Sequence, residues 1–304
     1  MPGPNISDVV IIGGVAAGPK AGATLARRKP EMSITLFQRE EYISYGSCGL
    51  PYFASGDINS FADLTKTSYG VERTPDFFKQ SKGITINTLC EVTSIDRDRK
   101  TVTVKNLKDG NIFEHGYRHL VIATGACPKK PPFPVADSPA IAHFTRPGDA
   151  ITFRKTAQKG AIGSAVIVGG GYIGCEIAEA MGVWGIETTL VECEPQILPA
   201  TLDAEMAAMV GSELKKNGVI VSTGCMVKEI RLNNGAPEVV FSDRDPLTVD
   251  HVFICTGVSP QSSLAESCGL AIGPTGGIVV DERMRTSDPS IYAGGDCVEL
   301  RHRI

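Results

Sequence analysis

The feature that most limits how this chain can fold occurs twice. An apolar run breaks on a glycine turn, passes into a helical stretch and returns as a second apolar run. In "DVVIIGGVAAGPKAGATLARRKPEMSITLFQ", Val9 to Ile12 meets Gly13 and Gly18, and Ile34 to Phe37 follows. In "AVIVGGGYIGCEIAEAMGVWGIETTLVE", Val166 to Val168 meets Gly169, Gly171 and Gly174, and Thr188 to Val191 ends at Glu192. Each stretch has the length of a βαβ unit, about 30 residues. In such a unit the first glycine makes the tight turn, the second lets the backbone approach a diphosphate, and the third lets helix and strand pack closely. The helix N-terminus then faces the anion with unpaired N–H groups.

One copy alone says little, because glycine turns join strands to helices in any doubly wound protein. Two copies, each set between strand and helix, predict two dinucleotides and an α/β fold with two Rossmann-like dinucleotide-binding domains. The second copy is complete, and Glu192 stands about where a ribose hydroxyl needs an acceptor. The first departs from the pattern: Val15 takes the middle glycine's place, and Gln38 stands where an acid is expected. A Gln oxygen still accepts a hydrogen bond, without charge assistance. Between the copies, alternating strands are broken by Asp109-Gly110, a hairpin signal.

Composition removes several function classes. At 304 residues and 42% hydrophobic, the chain is long enough for about two domains. A net charge of −4 leaves no basic excess to meet nucleic-acid phosphates. No apolar run approaches the roughly 18 residues of a membrane-spanning helix, and "MPGPNISD" lacks a signal layout. The expectation is a soluble, cytoplasmic protein. Nine cysteines form an odd set without paired spacing, and no Cys/His cluster has zinc-ligand spacing, so no metal site is expected. Most of these thiols read as small buried hydrophobes of a reducing compartment.

Cys48 is the exception, in "YGSCGLPYF". Gly46 and Gly49 flank the Ser47-Cys48 pair, and their missing side chains leave room for a close approach to the backbone. Pro51 suits the first turn of a helix, whose dipole and free N–H groups would favour a thiolate.

With these stretches in place, the chain resembles the FAD-dependent pyridine nucleotide-disulfide oxidoreductases. "LVIATGACPKKPPFP" and "VFICTGVSP" look like the two crossovers between FAD and NAD domains, and "TSDPSIYAGGDCVE" like the family's second FAD motif. The resemblance implies an FAD-binding domain over 1–126 and 257–304, interrupted by an NAD(P)H-binding domain over 127–256. It also implies a C-terminal dimerisation domain outside these 304 residues, and a homodimer for the complete protein. FAD contacts are implied at Gly13, Val15, Ala16, Ala17, Gly18, Gln38, Arg39, Val92, Ala123, Thr124, Gly125, Gly295 and Asp296, the last on the ribityl chain. NAD contacts are implied at Gly169, Gly171, Tyr172, Ile173, Gly174, Glu192 and Gly257. Glu192, with no arginine in "ECEPQIL", favours NADH over NADPH, since a carboxylate repels the 2′-phosphate.

Within the family, "SYGSCGLPYF" and "TPDFFKQSKGITI" look most like the single-cysteine branch of coenzyme A-disulfide and persulfide reductases. Glutathione-reductase-like members carry Cys-x-x-x-x-Cys; the partner here would fall at Ile43 or Phe53, which excludes an internal disulfide at that spacing. The resemblance implies that the second sulfur belongs to the substrate. Cys48 is then the catalytic sulfur, and Lys20, Arg27, Ser44, Ser47 and Lys82 are the candidate contacts for a coenzyme A substrate. Two alternatives stay open. One is an NADH oxidase or peroxidase that cycles Cys48 through sulfenic acid. The other is a flavin redox sensor or electron-transfer partner that does not use Cys48.

Overall fold

Residues 5–300 are described by a computed structural model in which the chain divides into two units. One unit gathers Ala62–Cys127 with the chain up to Gly46 and from Ser259 onward. The other joins Pro128–Val258 to the short segment Ser47–Phe61.

The first unit is built on β1 (Asn5–Ile12), β2 (Ile34–Phe37), β3 (Ile84–Asn87), β4 (Cys90–Asp96), β5 (Thr101–Asn106) and β6 (Ile112–Ile122). Their order is β3-β2-β1-β6-β5-β4, and the late strand Ile291–Ala293 pairs with the far end of β6. The pairs β3-β2, β2-β1 and β1-β6 are parallel, whereas β6-β5 and β5-β4 are antiparallel. The second half of β1, Val9–Ile12, is an unbroken apolar run because both faces of the sheet are covered there. Val9 and Ile11 join Ile34, Leu36, Ile84 and Phe78 in one core, while Val10 and Ile12 join Phe37, Leu120, Ile122 and Ile291 in the other. Helix α1 (Ala17–Arg28) follows the Gly13 turn and ends on Arg27 and Arg28, cations that suit the negative end of its dipole.

The second unit repeats the plan. β7 (Ser164–Val168), β8 (Glu187–Val191), β9 (Ile220–Ser222) and β10 (His251–Ile254) lie in the order β9-β8-β7-β10, all parallel, with Ile141–Ala142 at the edge beside β10. Three helices matter for the site: α2 (Leu50–Ser55), α3 (Pro147–Gln158) and α4 (Tyr172–Val183).

The sequence reading places Ser47–Phe61 with the first domain, but in the structure this segment packs with the second unit. The reason is where α2 finds its burial and its hydrogen bonds. Leu50, Phe53 and Ala54 are buried. The carbonyl of Ala54 accepts from the Trp184 indole at 2.8 Å, and those of Phe53 and Ile58 accept from Arg154.

Candidate active site

The two glycine turns share the contacts of their first and last glycines, though α1 starts four residues past Gly13 and α4 three past Gly169. Gly13 and Gly169 sit at φ +106° and +110°, a region that L side chains rarely adopt. A Cβ on Gly13 would collide with the Ala123 carbonyl, and one on Gly169 with the Cys255 carbonyl. Both carbonyls lie at the C-terminal end of the neighbouring strand. Gly18 and Gly174 likewise leave no room: a Cβ on either would meet the carbonyl of Gly13 or Gly169, so only glycine lets each helix start this close to its turn.

The residue just past the second strand of each unit pins the turn. Gln38 Oε1 accepts from the Gly14 N–H at 2.9 Å, and Glu192 Oε2 accepts from the Gly170 N–H at 2.7 Å. The parallel continues further along. The Ser44 N–H donates to the Gly14 carbonyl at 2.7 Å with Ser44 at φ +48°, and the Leu198 N–H donates to Gly170 at 2.8 Å with Leu198 at φ +52°. Sequence spacing assigns Gln38 and Glu192 to a ribose. The structure adds that each also holds a glycine amide.

Glu192 is buried, and its Oε1 accepts from the Glu194 N–H at 2.9 Å and the Cys193 thiol at 3.3 Å. Three of the roughly four lone-pair positions of that carboxylate are therefore taken, which leaves one for a hydroxyl. Gln38 gives its Nε2 to the Tyr42 carbonyl at 3.3 Å and keeps one Oε1 lone pair.

These turns fit anionic dinucleotides on three observations. The N-termini of α1 and α4 have no side-chain cap and no acid in the first turn. Two other helices close this end with a side chain, Thr74 on the Phe77 N–H and Asp203 on the Met206 N–H. The uncapped N–H groups of α1 and α4 are those a diphosphate satisfies. Gly171 faces open space, as a glycine passing a ligand must. Beside the Gly169 turn, Thr256 Oγ1 is buried without a hydrogen-bond partner, a polar atom for a bound group to engage. Sequence reading passes over Thr256, although the repeated T-G after each strand (Thr124-Gly125, Thr256-Gly257) was the available signal.

The other residues assigned to FAD fall as follows. Thr124 Oγ1 donates to the Gln261 carbonyl at 2.6 Å, and Gly125 accepts from the Gln261 N–H. Gly295 approaches the first turn of α1, where an added Cβ would lie 3.1 Å from that of Ala17. Asp296 is exposed in the same loop. Val15 and Ala16 bridge from Gly14 to α1, Arg39 lies 3.8 Å from the Glu40 carboxylate, and Val92 packs half-buried on the core. On the NAD side, Tyr172 is exposed and Ile173 half-buried at the start of α4, and Gly257, at φ +98°, accepts from the Lys129 N–H.

Cys48 is a free, exposed thiol in a short 3-10 turn, Ser47–Gly49, that leads into α2 with Pro51 in the first helical turn. Ser47 is exposed beside it, whereas Ser44 serves the Gly14 turn through its backbone. Lys20 and Arg27 are exposed on α1, and Lys82 Nζ stands 5.7 Å from the Phe77 ring centroid at the end of helix Pro75–Lys82.

The remaining cysteines separate by environment. Burial pushes the Cys175 thiol up to about 11 and the Cys255 thiol up to about 12. Cys297 is fully buried and donates to the Gly294 carbonyl at 3.4 Å. Cys193 departs from the expectation of a core thiol: it is exposed, because β8 has ended and the chain turns outward at Glu192.

The sequence matches the family described as pyridine nucleotide-disulphide oxidoreductase over residues 7–304. The chain belongs to that family. As a pyridine nucleotide-disulphide oxidoreductase, it is 36% identical to an NADH oxidase of Methanocaldococcus jannaschii, over 96% of this chain and 63% of that one. It is 33% identical to a CoA-dependent NAD(P)H sulfur oxidoreductase of Pyrococcus abyssi, over 97% of this chain and 64% of that one. Its fold superposes on a NAD-dependent persulfide reductase from A. fulgidus with a TM-score of 0.91 and 41% identity, covering 95% of this chain and 53% of that one. The chain thus spans just under two-thirds of the length of these curated relatives.

Proposed function

We propose that the protein is an FAD-dependent NAD(P)H oxidoreductase, with NADH the favoured donor, that reduces coenzyme A disulfide or a related disulfide or persulfide through Cys48. The observation that carries this reading is the setting of Cys48. It is an exposed thiol, and the positions where a second cysteine would pair with it are the buried apolar side chains of Ile43 and Phe53. With the family's internal disulfide excluded at those positions, the other sulfur in this reading is the substrate's. Similarity to the Pyrococcus abyssi sulfur oxidoreductase and the A. fulgidus persulfide reductase supports the same choice.

FAD at the Gly13 turn and NAD(P)H at the Gly169 turn supply, when bound, a two-electron relay toward sulfur. The chain's own chemistry begins with the Cys48 thiolate. It attacks one sulfur of the substrate disulfide, the substrate S–S bond breaks, and one thiolate leaves. The mixed disulfide on Cys48 then takes two electrons and releases the second thiolate, which restores Cys48. Two protons complete the two product thiols, and with a persulfide one product is hydrogen sulfide. Lys20, Arg27 and Lys82 are cations suited to the phosphates of coenzyme A, and Ser47 is a hydrogen-bond donor beside the sulfur.

Among the described residues no helix is long and apolar enough to cross a membrane. A cytoplasmic location, where free thiols persist, and a homodimer complete the reading.

The test is anaerobic NADH oxidation with coenzyme A disulfide, run on wild type and Cys48→Ser together. Turnover on the disulfide that disappears in the variant supports the reading, and equal turnover in both overturns it. Similarity to the Methanocaldococcus jannaschii NADH oxidase favours one second reading, in which Cys48 cycles through sulfenic acid. Turnover with hydrogen peroxide alone selects that one.

A further inference from the structure

Helix α4 carries the glycine fingerprint at its N-terminus and Trp184 immediately past its C-terminus. Its 12 residues span about 18 Å at 1.5 Å per residue. Trp184 meets the cysteine-bearing segment: its indole N–H donates to the Ala54 carbonyl at 2.8 Å. From α3, Arg154 Nη1 donates to the carbonyls of Phe53 at 3.1 Å and Ile58 at 2.7 Å, and its guanidinium carbon lies 4.6 Å from the Phe53 ring centroid. Gly56 closes α2 at φ +100°, where an added Cβ would lie 3.6 Å from the same indole.

These donors answer a need of α2 itself. The last carbonyls of any helix lack intrahelical partners, and a cation is favoured at that end. A helix of six residues is also too short to hold its shape alone. Local bonds serve Tyr52 (from the Ile58 N–H and the Ser55 hydroxyl) and part of Phe53 (from the Gly56 N–H). Arg154 of α3 and Trp184, next to the end of α4, add donors to the carbonyls of Phe53 and Ala54, and α4 begins at the nucleotide's own turn.

We infer that Arg154 and Trp184 are positioning residues that moor the Cys48 segment to the nucleotide-binding unit, so that seating a pyridine nucleotide at the start of α4 steadies the segment held at its far end. The inference rests on the reading of Cys48 as the redox sulfur, and its test separates the two.

Hydrogen exchange of the amides of 50–58 is followed in the FAD-loaded protein with and without NAD+, for wild type, Arg154→Met and Trp184→Phe. NAD+ slows exchange there several-fold in wild type and leaves it unaltered in both variants, although they bind NAD+ with wild-type Kd. In NADH oxidation with coenzyme A disulfide, kcat of Arg154→Met falls about 10- to 100-fold, the scale of a misplaced reacting group, while KM for NADH is unchanged. Arg154→Lys keeps the charge without the planar fork and recovers part of that loss. An NAD+ response equal in wild type and variants, or an unchanged kcat, overturns the inference. If wild type and Cys48→Ser turn over equally while NAD+ protection persists and still vanishes in the two variants, the sulfur reading fails and the mooring stands.

Discussion

Replacing Glu192 by alanine tests whether the residue that follows β8 holds the turn, beside the cofactor contact proposed for it. Its carboxylate is buried and accepts from the Gly170 N–H at 2.7 Å and the Glu194 N–H at 2.9 Å. Glu194 is exposed, so its amide finds water, but the Gly170 amide sits in a turn that no other side chain serves. A hydrogen bond to a charged group contributes about 1.5–3 kcal/mol, and that is the expected loss for Glu192→Ala. At about 2–4 °C per kcal/mol for a domain of this size, the second unit melts roughly 3–12 °C lower. The first unit supplies an internal control, because Gln38 Oε1 holds the equivalent Gly14 amide at 2.9 Å without a charge. Glu192→Gln therefore recovers most of the melting temperature, and under the proposed NADH preference it weakens discrimination against NADPH, since the repulsion of a 2′-phosphate is gone. Scanning calorimetry of the nucleotide-free protein, with NADH and NADPH titrations, reads both effects. An alanine variant that melts with wild type would refute the pinning role, and a Gln variant as unstable as the Ala variant would refute the control.

Gly174→Ala places a methyl against the Gly169 carbonyl, and Gly18→Ala does the same against Gly13, so each displaces one helix N-terminus from its turn. The first variant is expected to lose NADH binding while keeping FAD, and the second to be isolated without FAD; absorbance and NADH titration of both proteins check the pairing. His251 gives a pH prediction. Burial holds its imidazole down at about 4, against 6.5 unperturbed, so the folded protein binds this proton less readily than the unfolded chain. The associated stability is fully present above pH 6.5 and is lost as pH falls toward 4, by about 2–3 kcal/mol. Urea unfolding between pH 7 and 4 should show this slope in wild type and a shallower one in His251→Phe; equal slopes would refute the assignment.

What the sequence alone determined follows from constraints that act within a few residues. A positive φ at Gly13 or Gly169, a carbonyl where a Cβ would sit, and a strand buried on both faces each demand particular residue types at fixed spacing. Both dinucleotide turns were legible for that reason. Cys48 was singled out by its glycine neighbours and by the resemblance, whose two-cysteine pattern finds apolar side chains at the partner positions. Tertiary structure decided the rest. That Gln38 and Glu192 hold the glycine amides depends on where the second strand ends beside the turn, and no residue spacing specifies that bond. Likewise Ser47–Phe61 packs with the second unit because donors 101 and 130 residues further along the chain, Arg154 and Trp184, satisfy the carbonyls of Phe53 and Ala54. A helix end requires such partners wherever they come from, so its sequence announces the need and not the donor.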